Sequence, residues 1–129
     1  MKVYISGPVT GNKDAREWFG SMSYLLKRAG FGAVNPVQIM EPVKHVLDYR
    51  TILQADLELL EGCDAILMLP SWENSPGANK EYDKATRLGM KKFFVEEPGK
   101  LPKEMEENND VIRKAAESPA GTEGAEVEE

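Results

Sequence analysis

Short apolar runs alternate along the chain with longer segments in which apolar residues recur every three or four positions. The runs are rich in β-branched and aromatic residues and stop at glycine or proline, so they predict strands. These strands are expected at residues 2–6, 31–34, 63–69 and 92–95. The helical spacing predicts helices from a cap at Asn12 or Asp14 to Gly30, from Tyr49 to Glu61, and from Pro76 to Leu88.

Strands that are separated by helices of this length imply parallel pairing with right-handed crossovers. The predicted fold class is therefore α/β, as a three-layer flavodoxin-like or Rossmann-like parallel sheet with helices on both faces. Between the second strand and the second helix, residues 37–48 contain Pro42 and no clear period. This segment is predicted to be a loop with one short turn.

The acidic charge is concentrated at the end of the chain. Of the formal net charge of −6, residues 100–129 carry −5, from nine acidic and four basic residues. We therefore divide the chain into an α/β domain at 1–99 and an acidic tail at 100–129, with a short helix at 105–116. Residues 118–129 have almost nothing to bury and are expected to be disordered.

Composition and charge narrow the functional classes. With 129 residues and 41% hydrophobic content, the chain is expected to form one globular domain. It has no basic stripe for duplex nucleic acid, no apolar run of membrane-spanning length and no secretory signal, so we expect a cytoplasmic protein. The single cysteine, Cys63, is interpreted as a small buried hydrophobe.

No metal or cofactor is expected. His45 has a helical spacing to Glu41 that could suit a metal, but Pro42 and the lack of further ligands argue against it. His45 is interpreted as an exposed loop residue that lines a base pocket, and Asp64, at the opposite edge of the sheet, as structural.

The most informative stretch runs from the third predicted strand through a polar loop into the third long helix. Ser75 is a good N-cap and Pro76 suits the first helical position. Glu81 lies at the edge of the apolar stripe of that helix, either as a solvated residue or as a residue of a cleft. Ligands of α/β sheets bind at the carboxyl ends of strands, which favours the cleft.

Other polar or glycine-bearing segments are predicted to meet Glu81 at this edge. Asp56 of the second long helix can approach it. The turn from Gly7 to Gly11 either cradles a phosphate or is an ordinary tight turn, and the sequence gives both readings equal weight. Trp72 either stacks on a nucleobase or covers the loop.

Several of these motifs together resemble the nucleoside 2-deoxyribosyltransferase superfamily, especially its small phage and bacterial domains, which are related to deoxynucleoside monophosphate N-glycosidases. The resemblance covers roughly the first 95 residues. The motifs that carry it are Tyr4-Ile5-Ser6-Gly7-Pro8-Val9-Thr10-Gly11, Val34-Asn35-Pro36, Ala55-Asp56-Leu57, Cys63-Asp64-Ala65-Ile66 and the block from Leu69 to Glu81.

The resemblance implies cleavage or transfer at the N-glycosidic bond of a nucleoside or nucleoside 5′-monophosphate. It implies that Glu81 is the nucleophile, that Asp56 assists the leaving base, and that Tyr4 lies near the sugar. The implied substrate-binding residues are Gly7, Pro8, Val9, Thr10, Gly11, Asn35, Trp72, Ser75 and Gly77. Pro8 and Thr10 stand where the related glycosidases carry serine and arginine, so the first turn lacks a charged phosphate clamp.

The alternative is a non-catalytic nucleotide-binding or partner-binding domain that retains the fold.

The resemblance and the apolar pattern also predict a homo-oligomer, most simply a dimer. The apolar surface of the second long helix is larger than one sheet face can cover, because it includes Leu53, Leu57 and Leu60. The helix that contains Tyr82 is predicted to lie beside it. These helices are the predicted subunit interface.

Overall fold

Four parallel strands form the centre of the molecule in the computed structural model, which describes residues 1–106. The strands are β1 (Lys2–Ser6), β2 (Gly32–Val34), β3 (Ala65–Met68) and β4 (Lys91–Phe94). Their order in the sheet is β2-β1-β3-β4, with Tyr4 beside Ile66 and Ile66 beside Lys92. The chain thus crosses over at β1, as in flavodoxin-like sheets, and the predicted fold class is confirmed.

Four helices connect the strands: α1 (Ala15–Arg28), α2 (Pro36–Met40), α3 (Tyr49–Glu61) and α4 (Pro76–Arg87). Short 3-10 turns cover Glu41–Val43 and Trp72–Asn74. The predicted loop at 37–48 is wrong at its start, where α2 forms. The Oδ1 atom of Asn35 accepts hydrogen bonds from the backbone N–H groups of Val37 and Gln38, and Pro36 supplies a pre-formed first position.

The two faces of the sheet are covered by different helices. Alternation along β1 sends Val3 and Ile5 to one face and Tyr4 to the other. The first face packs against α1 through Phe19, Met22 and Leu26, and the second packs against α3 and α4 through Leu60, Ala78 and Ala85. These two cores make the three layers.

The segment after β4 also belongs to the α1-side core. Leu101 and Met105 are buried there, and residues 103–106 are helical. The packed unit therefore extends beyond residue 99, where the sequence placed the start of the tail. The remainder of the predicted helix at 105–116 and the end at 118–129 lie outside the described residues.

Several single-residue expectations can be placed on this fold. Asp64 accepts a hydrogen bond from the Lys2 backbone N–H at 2.8 Å, which ties the start of β1 to the loop before β3. Cys63 is buried with a free thiol. No helix within residues 1–106 is long and apolar enough to cross a membrane.

The leucines predicted for a subunit interface are largely used within the chain. Leu60 is fully buried in the core, Leu57 is partly buried and packs against the same core, and Leu53 lines the cavity described below. The homo-oligomer stays a prediction.

Candidate functional site

A cavity of about 460 Å³ lies at the carboxyl edge of the sheet. Its walls come from the turn between β1 and α1, from α2 and the 3-10 turn after it, from one side of α3, and from the start of α4. This is the edge at which α/β sheets bind ligands, and the volume suits a nucleoside-sized molecule. Among the charged residues in its wall are the two carboxyl groups that the sequence singled out, Asp56 and Glu81.

Glu81 is held in the cavity wall by two hydroxyl groups of β1. Ser75 caps α4 by accepting a hydrogen bond from the Ala78 N–H, which fixes where the helix starts and places Glu81 in its second turn. The Tyr4 hydroxyl donates to Oε2 of Glu81 at 2.7 Å, and the Ser6 hydroxyl donates to Oε1 at 2.6 Å. Glu81 is 6% exposed, and both of its carboxyl oxygens are bound by protein donors.

Tyr4 and Ser6 can both reach Glu81 because they are two residues apart on one strand. Side chains at i and i+2 point to the same face of a sheet, here the face covered by α4. Both residues are almost fully buried. The carboxylate is thus positioned by the sheet and does not depend on a surface loop.

Asp56 projects from α3 toward the same carboxyl group but has a different environment. Its Oδ1 atom is buried and has no hydrogen-bond partner within residues 1–106. Burial, followed by repulsion from Glu81, raises the pKa of Asp56 to about 7. Protonation of Asp56 removes both penalties, so this group is suited to hold a proton at neutral pH.

Burial also raises the pKa of Glu81 to about 7, while the hydrogen bonds from Ser6 and Tyr4 act in the opposite direction. Two interacting carboxyl groups titrate as a pair, and the donors decide where the shared proton resides. Glu81 receives two donated hydrogen bonds and Asp56 none, so Glu81 is the ionised member. The pKa of Tyr4 is raised well above its usual value by burial and then by Glu81, so its hydroxyl remains a donor.

This arrangement pairs an ionised, oriented carboxylate with a protonated carboxyl group across one cavity. The first can attack or stabilise a cationic carbon, and the second can protonate a leaving group. No cluster of three or more His, Cys, Asp or Glu residues that could hold a metal ion occurs in the part of the chain that the structure describes.

Most of the residues predicted to bind substrate line this cavity. Those in its wall are Gly7, Pro8, Val9, Thr10, Ser75 and Gly77, together with Asp56 and Glu81. Tyr4 is fully buried behind the wall and acts on the site through Glu81.

Three predicted binding residues and His45 lie outside the lining of the cavity. Asn35 is used as the cap of α2. Gly11, with a positive φ of 78°, is not in the wall, although its neighbours Thr10 and Asn12 are. Trp72 stacks on Tyr82 with ring centroids 4.7 Å apart, so it covers α4 instead of facing the cavity.

Close approaches of the backbone shape the cavity at two glycines. A Cβ atom on Gly7 would lie 2.7 Å from the Leu69 Cβ atom, so only glycine lets the end of β1 approach the residue after β3. A Cβ atom on Gly77 would lie 3.2 Å from the Tyr49 hydroxyl oxygen. The start of α4 thus lies against the start of α3, which narrows the cavity beside Glu81.

Sequence reasoning missed two parts of the site. Ser6 belongs to the first of the motifs that carry the resemblance, and its two-residue spacing from Tyr4 is the signal that places both side chains on one face of the strand. The basic side chains of Lys13, Arg16 and Lys44 also line the cavity. Their positions depend on how α1 and the segment after α2 are oriented.

Comparison with known proteins agrees with this fold. The sequence model of a family described as "Domain of unknown function (DUF4406)" matches residues 1–94. No curated protein matches the sequence. Among solved structures, a 2-desoxiribosyltransferase from Leishmania mexicana is similar, with a TM-score of 0.56 and 20% identity, over 73% of this chain and 63% of that one. The chain therefore spans less than two thirds of that protein, and the likeness confirms the fold that the motifs predicted.

Proposed function

We propose that this chain, which belongs to the family described as Domain of unknown function (DUF4406), acts on the N-glycosidic bond of a nucleoside or nucleoside 5′-monophosphate. The observation that carries the proposal is the carboxylate of Glu81, bound at both oxygens and facing a cavity that it shares with Asp56. The fold likeness to a deoxyribosyltransferase supports the same class of reaction.

Cleavage of an N-glycosidic bond builds positive charge on the anomeric carbon of the sugar. A carboxylate beside that carbon offsets the charge and can trap it covalently, as in retaining glycoside hydrolysis. In the proposed first step, an oxygen of Glu81 forms a bond to the anomeric carbon as the bond from that carbon to the base nitrogen breaks. The product is a glycosyl ester on Glu81.

The bonding electrons leave with the base, which departs more readily when it is protonated. Asp56 supplies that proton, because burial and the neighbouring carboxylate raise its pKa to about 7. Asp56 is then ionised and can accept a proton from the molecule that attacks the ester. If water attacks, the sugar is released and the reaction is hydrolysis. If a second base attacks, the reaction is transfer.

Tyr4 and Ser6 keep the carboxylate in one orientation before the substrate arrives. Hydrogen bonds that are already made in the resting protein need no rearrangement during the reaction. Since each donor binds a different oxygen, the plane of the carboxylate is fixed as well as its position.

The decisive experiment is incubation of the purified protein with a panel of nucleosides and their 5′-monophosphates, with free base measured by chromatography. At least one substrate should release base, and Glu81→Gln should abolish the release. Gln has nearly the shape of Glu but cannot act as the nucleophile. Glu73→Gln, at an exposed position outside the cavity, is the matched control and should retain activity.

The proposal is wrong if Glu81→Gln remains fully active. A protein that binds a nucleoside or nucleotide without releasing base under any condition would instead be a non-catalytic binding domain.

A further inference from the structure

Charged side chains are segregated at the start of α1. Four of them lie close together in the chain there, the basic Lys13 and Arg16 and the acidic Asp14 and Glu17. The two basic residues line the cavity that contains Glu81, whereas the two acidic residues do not. This segment therefore contributes basic side chains, and no acidic ones, to the cavity wall.

The basic pair has no partner in the part of the chain that is described. The salt bridges within residues 1–106 are Lys44 with Glu41 and Lys84 with Glu61, and neither involves Lys13 or Arg16. Positive charge at a helix N-terminus is also unfavourable, because it faces the positive end of the helix dipole. Lys13 and Arg16 are exposed residues, and an anion bound at this part of the cavity wall would offset their unfavourable charge.

We infer that Lys13 and Arg16 form the subsite for the 5′-phosphate of the substrate, an inference that rests on the proposed function. It replaces the charged clamp that the turn from Gly7 to Gly11 lacks, where Pro8 and Thr10 offer no positive charge. The cations come instead from the residues that follow this turn.

The layout of a nucleotide agrees with this assignment. The base and the 5′ group lie on the same face of the sugar ring, at the two carbons that flank the ring oxygen. A carboxylate of Glu81 that displaces the base attacks from the opposite face, so the 5′ group points away from that residue. The turn from Gly7 to Thr10 lines the cavity and leads along the chain from Ser6, which binds Glu81, to Lys13. An arginine fork and a lysine ammonium together match a phosphate dianion, and the arginine can bind two oxygens at once.

Lys44 also lines the cavity but is a weaker source of positive charge. Its ammonium group lies 3.2 Å from a carboxylate oxygen of Glu41, which already offsets its charge. The preference for phosphate therefore depends mainly on Lys13 and Arg16.

The test compares kcat/KM for a deoxynucleoside 5′-monophosphate with kcat/KM for the same deoxynucleoside. Loss of a charged hydrogen bond lowers binding roughly tenfold or more, so the ratio should fall by about that factor in Arg16→Gln and further in the variant that also carries Lys13→Gln. Arg87→Gln and Lys80→Gln, at exposed positions outside the cavity, are matched controls and should keep the wild-type ratio.

A binding arm separates this inference from the proposed reaction. Calorimetry with the monophosphate is performed on Glu81→Gln, alone and combined with Arg16→Gln. If no base is ever released but binding weakens at least tenfold on loss of Arg16, the subsite stands and the proposed reaction fails. If base is released while the ratio and the binding constant are unchanged in the Arg16 and Lys13 variants, the reaction stands and the subsite is overturned.

Discussion

Ser6 and Glu81 are 75 residues apart in the chain and are joined by a hydrogen bond of 2.6 Å. The bond connects the last residue of β1 to the second turn of α4, across the top of the sheet. It is buried, and the other carboxylate oxygen is bound by Tyr4 from the same strand. The orientation of Glu81 is therefore a property of the packed sheet and helix.

Ser6→Ala should reduce kcat/KM by roughly tenfold to a hundredfold, because a buried hydrogen bond to a charged group is removed. Loss of this donor raises the pKa of Glu81 further, since the bond from Ser6 favours the ionised form. The acidic limb of the pH–rate profile should therefore move to higher pH.

The matched control for this variant is Ser23→Ala, at a buried serine of α1 on the opposite face of the sheet. Its pH–rate profile should match that of the wild type. A profile for Ser6→Ala that overlays the wild-type profile would show that Ser6 does not position the carboxylate.

Glu81→Gln should change how stability depends on pH. The pKa of Glu81 is about 7 in the folded protein, against an ordinary value of 4.5. Between these values the folded carboxyl pair of Glu81 and Asp56 retains protons that the unfolded chain has lost, so the free energy of unfolding falls as the pH rises through this window. The neutral variant lacks this loss and should gain on the order of 2 kcal/mol over the wild type between pH 5 and pH 8.

Urea unfolding at several pH values measures this effect, and Glu73→Gln again serves as the exposed control. Parallel stability curves for the wild type and Glu81→Gln would contradict a raised pKa at this site.

Asp56→Asn should affect substrates according to their leaving group. A base that departs readily without a proton should be cleaved almost as fast as by the wild type, whereas a base that needs protonation should be slowed about a hundredfold or more. The basic limb of the pH–rate profile should also disappear, because the group whose loss of a proton defines it is removed. Rates for a series of bases test this, and an equal reduction for every base would exclude Asp56 as the acid.

The sequence predicts best those helices that have a capping residue at the start and a terminating residue at the end. Helix α3 lies between its Asp48 cap and Gly62, and α4 starts at Pro76, directly after its Ser75 cap, so both begin where expected. Helix α2 has weaker local signals: it is only five residues long, and Pro42 shortly after it favours a loop, so the capping role of Asn35 is not evident from the sequence.

The carboxylate pair could be predicted from topology and resemblance, because parallel strands and their helices bring Asp56 and Glu81 to one edge. The role of Ser6 and the presence of Lys13 and Arg16 in the cavity wall could not be predicted from the sequence. Both features depend on the orientation of α1 and α4 against the sheet. Contacts between residues far apart in the chain determine that orientation.

The burial of Leu101 and Met105 has a consequence for where the folding unit ends. The family match stops at residue 94, yet these two side chains complete the apolar layer over α1 and the sheet. A chain cut at the family boundary would lack both side chains and so lose part of this buried core. The stretch that matches the family is thus shorter than the packed core, which reaches at least to Met105.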